Sequence, residues 1–378
     1  MSPVGWLLRV ALAASLVTSP SSQDITASWD PFAHRLTVVG DDANDTATVT
    51  CDGGTLKVNG VDPIGGPVAC SDVRSLDVEL AGGNDTFDGS AITPAGFPTL
   101  EGFDADGGPG DDTITAMAHP GESFHVLRGG PGDDVLMGTP GLDFLSGGEG
   151  SDLLDGGEGF DWLEEVADVD FVVTATGLTG LGTDSLSRIE LVSLTGGPSD
   201  NVIDASASTS RVSLDGDDGN DTLIGGTNDD VIFGGRGSDL IVGGRGRDGN
   251  FALLAGGGDA AIDGGPGRDT IILGPGNDDS VFGGAGADTI RGGPGQDGPE
   301  GGVYGGPGKD RILGGPGNDR YLSGDGGADV LRGNAGKDHL LGGRGADALF
   351  GGPDEDELVG GRGRDSLRGG SGQDRETQ

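Results

Sequence analysis

Aspartates recur in this chain at a fixed place inside a glycine-rich frame of nine residues, and such an aspartate is an oxygen ligand positioned by backbone. From Gly107 onward the frame reads G-G-x-G-x-D-x-U-x, with U a large aliphatic residue. Matches begin at Gly107, Gly129, Gly147, Gly156, Gly234, Gly264, Gly283, Gly305, Gly314, Gly342 and Gly360. Degenerate copies keep the register, among them GTPGLDFLS from Gly138, GDDGNDTLI from Gly216, GGTNDDVIF from Gly225, GDGGADVLR from Gly324 and GNAGKDHLL from Gly333. Copies from Gly243 and Gly292 carry four extra residues before the next unit, and this predicts small bulging loops.

Two units per coil would set every second aspartate directly above its predecessor at the strand spacing of a sheet. Asp134 would then stack on Asp152, and Asp143 on Asp161. At an effective dielectric near 20, carboxylates about 5 Å apart repel by roughly 3 kcal/mol. Summed over many coils, this exceeds the ~5–15 kcal/mol stability of an ordinary domain, so the bare stack is expected not to fold. A hard divalent cation between turns removes the repulsion, using carboxylates and backbone carbonyls. Calcium suits six to eight oxygens in flexible geometry, magnesium demands a tight octahedron, and zinc or copper call for His or Cys, which these turns lack.

The elements that must hold these aspartates follow from the same frame. Glycine at places 1, 2 and 4 permits a tight turn with positive φ, and x-U-x makes a very short strand. One such strand buries a single side chain and needs stacked neighbours, so the expected core is a thin file including Leu136, Leu145, Leu154 and Leu163. Before the repeats, RLTVVG, TATVTC, TLKVNG and SLDVEL read as short strands, and GGNDTFDGS from Gly82 as a partial copy. Between Glu165 and Leu214 alternating apolar residues persist without the frame, which predicts strands without metal-binding turns. The expected organisation is a signal-like segment 1–23, an N-terminal β region 24–106, a first repeat block 107–164, a metal-free β spacer 165–214 and a second block 215–378.

Composition agrees with cation binding. Among 378 residues, 63 Asp plus Glu face 22 Lys plus Arg, a net charge of -41 that argues against nucleic acid and anionic membrane surfaces as partners. With 82 glycines and only 33% hydrophobic residues, a broad core is not expected. The apolar run Val10–Val17 behind Arg9 reads as a secretory signal and is too short to span a bilayer. In an exported chain, Cys51 and Cys70 read as a disulfide, since neither has zinc-spaced His or Cys partners.

In this frame and register the sequence resembles the repeats-in-toxin (RTX), or hemolysin-type, calcium-binding family. The resemblance implies an all-β, right-handed parallel β-roll, a β-solenoid, in which calcium ions bridge the GGxGxD turns. Carried over copy by copy, the implied ligands are Asp112, Asp134, Asp143, Asp152, Asp161, Asp221, Asp230, Asp239, Asp248, Asp269, Asp288, Asp297, Asp310, Asp319, Asp329, Asp338, Asp347, Asp356, Asp365 and Asp374. In AGGGDAAID near Gly256, Ala260 stands at the ligand place. In the last copy Glu376 takes the aliphatic place, so Asp374 is expected in a frayed cap. Asn228 and Asp354 replace the fourth glycine of their turns and are expected to weaken them.

No H-E-x-x-H or G-x-S-x-G is present. His119 and His125 with Glu122 offer a metal reading, against which unengaged loop histidines are commoner. Trp162 and Phe87 read as core or rim. Arg247, Arg268, Lys309, Lys337 and Arg364, at the fifth place of their turns, read as partial charge compensation. The expected function is calcium ion binding with calcium-dependent folding of a secreted, non-enzymatic structural or interaction protein with an unidentified surface or matrix partner. A hydrolase with an unrecognised catalytic region and an acidic calcium-buffering matrix component are the alternatives.

Overall fold

A coil closes every two nonapeptides: Val135 lies beside Leu153 in one sheet and Phe144 beside Trp162 in the other. The computed structural model describes residues 25–117, 124–246, 248 and 262–378, so the signal-like segment lies outside the described residues. Within them the chain is an all-β solenoid of stacked parallel coils. Sheet I runs in parallel through Arg35–Val39, Ser75–Glu79, Gly102–Asp106, Phe124–Arg128, Leu142–Ser146 and Trp162–Val166. Sheet II runs through Thr46–Asp52, Thr86–Asp88, Thr113–Thr115, Val135–Met137 and Leu153–Asp155. The strands expected before Gly107 therefore continue both sheets of the repeats.

Each short strand turns one aliphatic side chain inward, and stacking aligns these into two files. Ile114, Leu136 and Leu154 form one, Leu127, Leu145 and Leu163 the other, all at most 1% exposed. Burial of such a side chain contributes about 1.5–3 kcal/mol, and polar turns separate the files from water. Phe87 is wholly buried, whereas Trp162 is half-buried on the outer face and packs on Phe144 with ring centroids 5.3 Å apart. Cys51 and Cys70 are bonded, tying the antiparallel hairpin Thr46–Asp52 and Thr55–Val58 to the chain that follows it. No helix of the described residues is long and apolar enough to cross a membrane.

Three features depart from the simple period. Sheet I crosses the spacer directly, from Trp162–Val166 to Leu191–Thr195 and Arg211–Asp215. Sheet II instead inserts Gly177–Thr179 antiparallel between Thr183–Ser187 and Phe171–Thr174 before its parallel course resumes at Val202–Ala207. In the copy from Gly314 the eighth residue, Tyr321, has φ 53° and is exposed, and Leu322 enters the core in its place. A one-residue bulge there corrects the expected register. The loop expected after Gly292 is present at 298–302, while the one after Gly243 lies outside the described residues.

Candidate metal centre

The sixth residue of each turn sits where a strand begins, its carboxylate folded back under its own turn. A Cβ on Gly129, the first residue of its turn, would collide with Oδ2 of Asp134. The fourth glycine, Gly132, has φ 153°, and a Cβ there would meet the carbonyl of Gly110 in the neighbouring coil. At Gly129 and Gly132 a side chain has no room, because the coils stack at backbone contact.

Stacking joins the aspartates into hydrogen-bonded columns. Beside sheet II the N–H of Asp112 donates to Oδ1 of Asp134 at 2.7 Å, Asp134 to Asp152 at 2.8 Å, and Asp152 to Asp184 at 3.1 Å. After a break within the spacer this column restarts at Asn201 and continues through Asp221, Asp239, Asp269, Asp288, Asp310, Asp329, Asp347 and Asp365. Beside sheet I, Asp143 donates to Asp161 at 3.0 Å, and Asp161 to Oε2 of Glu190 at 2.8 Å. A second stretch runs from Asp230 through Asp248, Asp278, Asp297, Asp319, Asp338 and Asp356 to Asp374. All twenty implied ligands thus fall into four stretches of column.

One oxygen of each rung is spent on this relay, and the other is mostly left bare. Oδ2 is buried without a hydrogen-bond partner in Asp112, Asp134, Asp152, Asp161, Asp221, Asp239, Asp248, Asp269, Asp288, Asp297, Asp310, Asp319, Asp329, Asp338, Asp347, Asp356 and Asp365. Three implied ligands differ. Oδ2 of Asp143 accepts the Thr139 N–H and Oδ2 of Asp230 the Gly226 N–H, and Asp374 is half-exposed at the last turn.

Burial pushes the carboxyls of Asp112, Asp134, Asp161 and Asp269 up to about 7, against the pull of the relay hydrogen bonds, with repulsion from neighbouring acids adding to the rise. For Asp278 and Asp319 the same causes reach about 8. Buried carboxylate oxygens without donors lose hydration without replacement, and a cation between turns supplies what is missing. Among the described residues no three His, Cys, Asp or Glu side chains converge on one point. A cation held in the column would take backbone carbonyls beside its carboxylates, an all-oxygen set suited to a hard ion such as calcium.

Several rungs lie outside the regular frame. Asp278 completes LGPGND, in which Leu273 replaces the first glycine, and its Oδ2 is also bare. Asp184 completes TGLGTD within the spacer expected to be metal-free, and Asn201 completes GGPSDN. Aligning on the sixth residue instead of the first glycine exposes all three. Conversely, AGGGDAAID adds no rung: Asp239 bonds directly to Asp269 and Asp248 to Asp278, each pair 30 residues apart. Ala260 itself lies outside the described residues, as does Arg247.

Other side chains close the columns. His125 is buried with Nδ1 2.6 Å from Oδ1 of Asp143, so it ends the sheet I column, while His119 and Glu122 lie outside the described residues. Glu165 accepts the N–H groups of Gly147 and Gly148, placing a carboxylate one coil beyond the first glycines of that turn. Glu376 accepts the Gly369 N–H at the last turn. Lys337 pairs with Glu355 at 2.7 Å, local compensation at the fifth place.

Glycine turns stacked at backbone contact, with a carboxylate at each sixth place, define a metal-binding β-solenoid. The model of the RTX calcium-binding nonapeptide repeat (4 copies) matches residues 128–163, 215–249, 254–279, 264–298, 303–321, 323–358 and 350–375. The chain belongs to this family of calcium-binding repeat proteins, and its repeats are calcium-binding. No curated protein matches it.

Proposed function

We propose that calcium is the folding partner of this chain, and that the folded roll serves outside the cell as a non-enzymatic structural or interaction protein. The observation that carries the reading is the file of buried, unpartnered Oδ2 atoms, repeated from turn to turn. Ligand aspartates must be ionised to bind, so metal-binding free energy becomes folding free energy. An extracellular setting is supported by the Cys51–Cys70 bond, which suits an oxidising compartment, and by weak-site calcium modules, which load at ~0.1–1 mM free ion. The chain would leave the cell unfolded and order on meeting external calcium. Circular dichroism of the full chain is expected to show β structure in millimolar calcium and a largely unfolded spectrum in chelator. An unchanged β signal after chelation removes the coupled-folding reading.

A further inference from the structure

The sheet II column does not stop at Asp112. The N–H of Asp85 donates to Oδ1 of Asp112 at 2.7 Å, and that of Asp45 to Oδ1 of Asp85 at 2.6 Å. Both aspartates are 1% exposed, with Oδ2 of Asp85 and Oδ1 of Asp45 buried and lacking any partner. Neither turn carries the full repeat, though the second overlaps the partial copy from Gly82. They read GDDAND from Gly40 and LAGGND from Leu80, and both precede the residues matched to the family.

Their geometry nevertheless copies the matched turns. A Cβ on Gly40 would collide with the carbonyl of Leu80 and crowd Oδ2 of Asp45, just as one on Gly129 would meet the Gly147 carbonyl and Oδ2 of Asp134. Ala81 has φ 75° and Gly83 φ 120°, the left-handed places that Gly130 and Gly132 occupy at 111° and 153°. The fifth residues stack too, the Asn84 N–H donating to Oδ1 of Asn44 at 3.0 Å. The cysteine-bonded hairpin Thr46–Asp52 begins at the residue after Asp45.

We infer that the turns 40–45 and 80–85 hold a calcium ion between them, with Asp45 and Asp85 as carboxylate ligands, ahead of the regular repeats. This rests on the calcium reading of the matched turns. Its consequence is that the disulfide-bonded first coil is itself a calcium-loaded end of the roll.

Long-wavelength anomalous diffraction from crystals of the full chain grown in calcium chloride is expected to show a peak between these two turns, beside peaks along the turns from 107 to 161. Peaks in the repeats with none between 40–45 and 80–85 overturn the inference and leave the repeat sites standing. A map without peaks anywhere overturns the calcium reading and this inference with it. In solution, Asp85→Asn keeps an acceptor for the Asp45 N–H, Asp45→Asn keeps one for the Asp41 N–H, and each removes the charge. Each variant is expected to bind at least one calcium ion fewer by native mass spectrometry of the full chain. An unchanged count in both overturns the assignment, and should either variant fail to fold, the diffraction map of the unsubstituted chain decides.

Discussion

At the scale of the residue, an aspartate in this roll has two opposed preferences. Without metal its burial favours the proton; with calcium it must give the proton up. Asp112, Asp134, Asp161 and Asp269 sit near 7 in the metal-free fold, above the ordinary value of an unfolded chain. The folded state therefore holds more protons than the unfolded one between about pH 4 and pH 7, and metal-free stability falls as pH rises through that window. In chelator the chain is expected to be more ordered by circular dichroism at pH 5 than at pH 8. Calcium affinity should move oppositely, weakening about tenfold per displaced proton for each pH unit below 7, as calorimetry at several pH values would show. Asp152→Asn separates the two effects. It relieves repulsion in the metal-free column but removes a charged ligand, an interaction of ~1.5–3 kcal/mol, so its calcium midpoint should rise about tenfold or more.

At the scale of the element, the turn and its strand fail for different reasons. Gly132→Ala places a methyl against the Gly110 carbonyl at φ 153°, which combines a clash with strain of about 1–3 kcal/mol. Leu154→Ala empties part of the sheet II file and should remove about 2–5 kcal/mol. Urea unfolding in saturating calcium measures both, and exposed Glu149→Ala is the control, expected within about 0.5 kcal/mol of the parent. The turns with intact glycines were legible in the sequence because their glycines and aspartate repeat together. Asp85 was legible only as part of the partial copy from Gly82, and Asp45 and Asp184 were not legible, since these turns replace glycine by Asp, Ala, Leu or Thr and the 80–85 turn reaches left-handed φ through Ala81. The shift from Tyr321 to Leu322 was equally hidden, because one bulged residue changes which side chain faces inward without altering composition.

At the scale of the whole molecule, two continuities run along the roll and are interrupted differently. The aliphatic file of sheet I passes through the spacer without a gap, Leu163 beside Val192 and Val192 beside Val212. The carboxylate columns break there, at Glu190 on one side and between Asp184 and Asn201 on the other. Order in the spacer should then depend on packing more than on metal. Hydrogen exchange at subsaturating calcium is expected to protect 191–195 and 211–215 earlier than 129–137. Protection rising in step across all three would show that the columns fold as a single unit despite the break.

The sequence by itself determined the ion, the period and the sign of the problem: aspartates at every ninth place with a charge of -41 need a cation, and two units per coil stack them. It could do so because the chemistry of a repeat is local and is copied from turn to turn. The tertiary structure decided where the columns begin, break and end. His125 against Asp143 and Glu165 over the Gly147 turn are neighbours because an 18-residue coil closes between them, and Asp45 beneath Asp85 because a 40-residue coil comes back into the same register. Register of this kind is set by hydrogen bonds between strands far apart in the chain, and no nine-residue window contains them.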